Sequence, residues 1–199
     1  MKGARPGAHG EAGGAHFFAV EIMDGELRRL RYGPRAKDGG RQPFLVRVRF
    51  TAEDPGQVIA DARAVLTCVV ERMGDWPACE RWPQLLPAWF VQRYAPEPED
   101  PEPGEPFDAE AWLRQWRAMT PEQRAAAGQG PWTLSDWLHC FDPTEEGAGD
   151  DRNWWWWHAG TDEPGSGWIQ VATTGWPFGR GSLSWLIKAG GGTDLAYGP

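Results

Sequence analysis

The sequence predicts an α+β fold: a mainly antiparallel sheet with helices packed on one face. Three observations lead there. Short runs alternate apolar and polar side chains, the two-residue period of half-buried strands. Tight-turn signals join neighbouring runs into hairpins rather than into strand–helix–strand units. Segments with helical periodicity are grouped between and after the hairpins, which argues against a doubly wound nucleotide fold.

The 199 residues suffice for one domain with a substantial core. Residues 1–15, rich in Gly and Ala, are expected to form a flexible tail, and 16–199 a single α+β domain. An acidic, proline-rich linker at 95–106 divides this domain into a β-β-β-α-β half and a half made of helices followed by a β-β-α unit.

The first strand expected is Phe18–Ile22, turned at Asp24-Gly25 into a return strand over Glu26–Tyr32. Phe44, Val46, Val48 and Phe50 alternate with Leu45, Arg47 and Arg49, giving a strand over Pro43–Thr51. Asp54 before Pro55 is an N-cap with proline at the first helical position, opening a helix that runs to about Met73. Trp89–Tyr94 is expected to be a further strand. Helices follow after Asp108, at the capping box Thr120–Gln123, and at Leu134–Phe141. The β-β-α unit spans the run Trp154–Trp157, a strand over Gly167–Trp176 and a short helix opened by Ser182.

All fourteen tryptophans lie between Trp76 and Trp185. An even register in the last hairpin would set Trp157 opposite Ile169 and Trp155 opposite Val171. The other face would then gather Trp154, Trp156, His158, Trp168 and Gln170, a candidate stacking platform. Slipping by one residue exchanges the faces. Helices bearing Trp112, Trp116 and Trp137 could equally cover the platform and make it core, the usual fate of large aromatics.

Charge divides along the chain. Through Ala95 there are 14 basic and 11 acidic side chains; after it there are 6 and 17, within a net charge of −8. Arg29, Arg31, Arg47 and Arg49 are expected on one outer sheet face, where they either dock the acids Glu97, Glu99, Asp100, Glu102, Glu105, Asp108 and Glu110, within the chain or across a dimer, or form a solvated surface. His139, Cys140, Asp142 and His158 lack the paired spacing of a zinc site, so no metal or other cofactor is expected. Ser182 has no nucleophile-elbow context and is expected to cap its helix.

The leading functional expectation is a non-catalytic protein-binding module of the immunity-protein or antitoxin kind. It would meet a basic partner through Glu145, Glu146, Asp150 and Asp151 and the exposed edge of the tryptophan hairpin. The kinship to that kind is by analogy of size and acidity. A homodimer is compatible with it. One alternative is a small-ligand or carbohydrate-binding domain using Trp154, Trp156, Trp168 and Trp176; another is an enzyme built from scattered residues such as His158, Arg152 and Asp142. Acidity argues against nucleic acid, no apolar run has membrane length, and three cysteines without a CxxC pair suit a cytoplasmic protein.

Overall fold

β1 (Phe44–Thr51) is the strand on which the sheet is assembled, because it pairs on both sides. The computed structural model describes residues 25–35, 44–97, 109–120, 123, 132–143, 153–173 and 175–198. Residues 25–32 form a helix, α1. After β1 come α2 (Pro55–Val70), a 3-10 turn at Cys79–Arg81 and the short helices α3 (Trp82–Leu85) and α4 (Ala88–Val91). Then follow α5 (Ala109–Ala118), α6 (Leu134–His139), β2 (Trp154–Glu163), β3 (Ser166–Thr173), α7 (Gly181–Ala189) and β4 (Thr193–Gly198).

The sheet order is β2-β3-β1-β4, and every neighbouring pair is antiparallel. β1 and β2 therefore run the same way with β3 between them, and β3 and β4 run the same way with β1 between them. With α2 and α7 as the long crossovers this is the split β-α-β topology, β-α-β-β-α-β, of ferredoxin-like sheets. The helices α3 to α6 are inserted between α2 and β2.

The inner face carries Val46, Val48 and Phe50 of β1, Ile169 and Val171 of β3, and Trp154, Trp156 and Ala159 of β2. Against it lie Val58, Ile59, Ala62, Val65, Leu66 and Val69 of α2 and Leu183, Leu186 and Ile187 of α7. α2 begins as its sequence requires: the Asp54 carboxylate accepts the Gln57 N–H at 2.9 Å, with Pro55 in the first turn. Of the inserted helices, α4 and α6 join this core through a run of rings. Tyr94, Phe90, Trp137, Phe141 and Trp154 follow one another at centroid distances of 5.1, 5.0, 4.5 and 5.8 Å. Such edge and tilted contacts suit the aromatic quadrupole.

Two expected strands are helices. Residues 26–32 do not return as a strand; Glu26, Arg29 and Leu30 point inward at helical spacing, and the Gly33 N–H closes on the Arg29 carbonyl at 2.9 Å. Gly33 has φ +75°, the left-handed conformation that ends helices. The N-terminal hairpin therefore does not form: its second strand is α1, and Phe18–Ile22 lies outside the described residues. Trp89–Tyr94 likewise begins within α4, since Pro87 opens it and Phe90 meets Tyr94 across a helical i, i+4 interval rather than by alternation. The expected helix at 134–141 and the capping box at Thr120 are present, Thr120 and Gln123 exchanging bonds of 2.9 and 3.2 Å. Residues 1–15 and 98–106 lie outside the described residues.

Candidate functional site

The tryptophan hairpin fixes which side chains can meet on the side of the sheet away from α2 and α7. Its loop is the two-residue turn Pro164-Gly165, with Gly165 at φ +79°. Ser166 pairs with Glu163, and the register shifts once before Thr161 and again between Trp156 and His158. Trp154, Trp155 and Trp156 then stand opposite Thr173, Ala172 and Val171. The expected even register is thus replaced by an odd one along the tryptophans, and the faces exchange. Trp154 and Trp156 are 1 % and 0 % exposed in the core, while Trp155 shares the outer side with Ala172, Leu45 and Trp157 in a small apolar cluster of its own. The bulge at Trp157 restores His158 to the outer face, opposite Gln170.

Two of the expected platform tryptophans are therefore structural, and their indole N–H groups have different fates. Trp154 Nε1 donates to the Ser182 hydroxyl at 3.1 Å, and Trp137 Nε1 donates to the Ser182 carbonyl at 3.0 Å. Ser182 consequently ties α7 to two tryptophans instead of capping its helix, which has Arg180 at the N-cap and no side-chain cap. Trp156 Nε1 is buried without a partner among the described residues.

Three expected platform residues do come together. Across the outer face run two rows: His158, Gln170, Arg47 and Gly198, then Gly160, Trp168, Arg49 and Ala196. The Trp168 ring lies over Gly160, where an added β-carbon would come within 2.8 Å of it. Its Nε1 donates to Asp162 at 3.0 Å, the Arg47 guanidinium sits 4.3 Å from the ring centre, and His158 meets it edge-on at 5.3 Å. Burial, then the charges of Arg63 and Arg47, hold the His158 imidazolium pKa below its ordinary value. Trp176 is elsewhere, half exposed in a row with Phe178 and Tyr197.

The expected basic stripe is divided. Arg29 is buried and donates to the Trp156 carbonyl at 3.0 Å, Arg31 pairs with Glu71, and only Arg47 and Arg49 share the outer face. Of the linker acids, Glu97 accepts from the Ser135 N–H at 2.9 Å and from its hydroxyl at 2.6 Å, so it serves the start of α6. Glu145, Glu146, Asp150, Asp151 and Arg152 lie outside the described residues.

A second surface had no signal in the sequence. Trp76, Pro77, Ala78, Cys79 and Trp82 face Ser135, Asp136, Leu138, His139 and Asp142 across a cleft of about 730 Å³. Trp76 and Trp82 form one wall, their rings 4.7 Å apart. Burial pushes the Cys79 thiol up, and Glu97, Glu80 and Asp142 push it further. The thiol therefore stays protonated, which is the opposite of an activated nucleophile. The same three carboxylates give the cleft a negative potential. Asp142 and His139 share the cleft, whereas His158 stands on the sheet. Among the described residues no group of three or more His, Cys, Asp or Glu is placed to hold a metal ion.

Fold and surfaces define an α+β protein with a split β-α-β sheet, a cationic outer sheet face and an acidic aromatic cleft. Comparison with protein-family models, curated proteins and solved structures finds no match to this chain. No helix among the described residues is long and apolar enough to cross a membrane.

Proposed function

We propose that the protein is a non-catalytic binding module of the immunity-protein or antitoxin kind, holding a basic protein partner against its acidic C-terminal half. The cleft between Trp76–Trp82 and α6 is the observation that carries this reading. The half-buried Trp76 indole, backed by the buried Trp82 and flanked by the carboxylates of Asp136 and Asp142, suits a lysine or arginine side chain, which gains from the ring quadrupole and from opposite charge together. A 730 Å³ opening admits such an anchor, and anchors of that type dominate interface energetics. Burial raises the Cys79 thiol most, and the charges that raise it further all come from carboxylates, Glu97, Glu80 and Asp142, which favour a cation over an anion. The 17 acids against 6 bases after Ala95 extend the field beyond the cleft and favour rapid, salt-sensitive encounter. Three free cysteines suit a reducing compartment, and the cytoplasm is the setting this reading implies.

The test is native mass spectrometry of the protein taken gently from its own cells, followed by binding measurements with the partner recovered. A stoichiometric basic polypeptide is expected, released by salt and bound at least about tenfold more weakly by the Asp136→Asn, Asp142→Asn double variant. A bare chain, or a partner indifferent to salt and to both substitutions, would overturn the reading.

A further inference from the structure

We infer that the outer face of the sheet is a separate binding surface for an extended, carboxylate-rich peptide, laid along β1 over Arg47 and Arg49. Both arginines point away from the core on the strand that is paired on both sides, and Arg49 is exposed. Neither makes an ion pair with a described residue, unlike Arg31, Arg72 and Arg114. The nearby carboxylates are already engaged, Asp162 by the Trp168 indole and Asp194 by the Thr51 hydroxyl at 2.7 Å. Among the described residues, two guanidinium groups are thus held on one strand with their donors unspent on acids.

Their spacing selects the ligand. Alternate residues of a strand are about 6.6–6.8 Å apart, and alternate carboxylates of an extended peptide repeat at the same distance. Planar guanidinium groups take carboxylates through paired N–H donors. Gln170 stands beside Arg47 and supplies an amide in the same row, while Gly198, Ala196 and Gly160 keep the flanks of the two rows low. The remaining aromatic decides against a nucleic-acid strand. Trp168 packs on Gly160 and already carries the Arg47 guanidinium over its ring, so the protein itself takes up the indole on which a base would stack. The indole instead braces Arg47, holding its guanidinium over the ring before the ligand arrives. That preorganisation reduces the ordering cost of binding.

The experiment uses the full chain and a fluorescein-labelled twelve-residue peptide of alternating Glu and Thr, followed by fluorescence anisotropy at low and at physiological salt. Labelled dT12 and a Lys/Thr peptide are run beside it. We expect the Glu/Thr peptide to bind, to weaken with salt, and to lose at least tenfold in affinity with Arg49→Glu. Arg49 is exposed, so that variant should keep the wild-type near-ultraviolet circular dichroism. Arg47→Lys should lose less than Arg49→Glu, because a charge remains but the paired donors do not. The Asp136→Asn, Asp142→Asn variant should bind the Glu/Thr peptide as wild type does, which separates this surface from the cleft. Absence of binding by the wild-type chain, equal binding by Arg49→Glu, or Arg49-dependent binding of dT12 in preference to the peptide would each overturn the inference.

Discussion

The two faces of the tryptophan hairpin use similar residues to opposite ends. On the inner face Trp154 and Trp156 are sealed among α2, α6 and α7, their environment set by apolar contact. On the outer face Trp168 is half-buried and lies between a glycine and a guanidinium, its environment set by charge. Residue type does not separate them; strand parity does, and parity here depends on a tight turn and two register shifts. One bulge at Trp157 is enough to let Trp156 face the core and His158 face the other way, two residues apart. A bulge can thus decide which aromatics stabilise and which remain available for binding.

The largest expected effect breaks the comparison most directly. Trp156→Ala removes a fully buried ring and should cost about 3–5 kcal/mol, from the lost burial and the cavity left behind. Trp168→Ala removes a ring that is only half-buried and should cost about 1–2 kcal/mol, near the middle of ordinary substitutions. Urea unfolding with unchanged m-values measures both. Equal losses would mean that the outer indole is as much a part of the core as the inner one.

A second contrast concerns the edge of β2. That strand is at the margin of the sheet, and Trp156 there turns an N–H and a carbonyl away from β3. α1 meets both groups: the Glu26 carboxylate accepts the N–H at 2.7 Å and Arg29 donates to the carbonyl at 3.0 Å. A helix thus closes an edge that would otherwise invite another strand. Glu26→Ala leaves a buried N–H without its acceptor and should cost about 1–3 kcal/mol. Glu26→Gln keeps an acceptor oxygen and should cost less. Hydrogen exchange at the Trp156 amide is the direct reading, and unchanged protection in Glu26→Ala would show that the edge is held by something other than this carboxylate.

How much of this was legible follows the same physics. β1, α2 with its Asp54 cap, and the last hairpin announce themselves because their apolar periodicity agrees with their local start and stop signals. α1 was hidden because its inward positions include a Glu and an Arg, which meet backbone groups of Trp156 from 130 and 127 residues away. Asp24-Gly25 then read as a hairpin turn, although Gly33 carried the helix-ending signal. β4 was hidden too: Thr193–Gly198 has one leucine and one tyrosine, and its pairing with β1 supplies what its composition lacks. Of the platform, His158, Trp168 and Gln170 were found together because their mutual parity survives the register error, whereas Trp154 and Trp156 were misplaced by it. The cleft had no local signature at all, since Trp76, Cys79 and Trp82 meet Asp136 and Asp142 only through tertiary packing.

The smallest expected effect sharpens the outer face alone. His158 lies beside Trp168, with its Nδ1 buried and unpartnered among the described residues, and Gly33 sits close enough that an added β-carbon would be 3.7 Å from that atom. Burial and the charges of Arg63 and Arg47 lower its pKa from the ordinary 6.5. The unfolded chain therefore binds a proton more readily than the folded one as pH falls through 6.5. The neutral imidazole costs the folded state nothing above that value, and folded stability should decline from pH 6.5 down to the lowered pKa, below which the loss is complete. His158→Gln cannot titrate, so its stability should fall less over that window, while the two proteins converge in slope above pH 7.5. Urea midpoints at half-unit steps from pH 5 to 8 provide the comparison. A wild-type curve parallel to that of His158→Gln would mean that the imidazole is solvated, and that Arg47 beside it and Arg63 of α2 do not act on it.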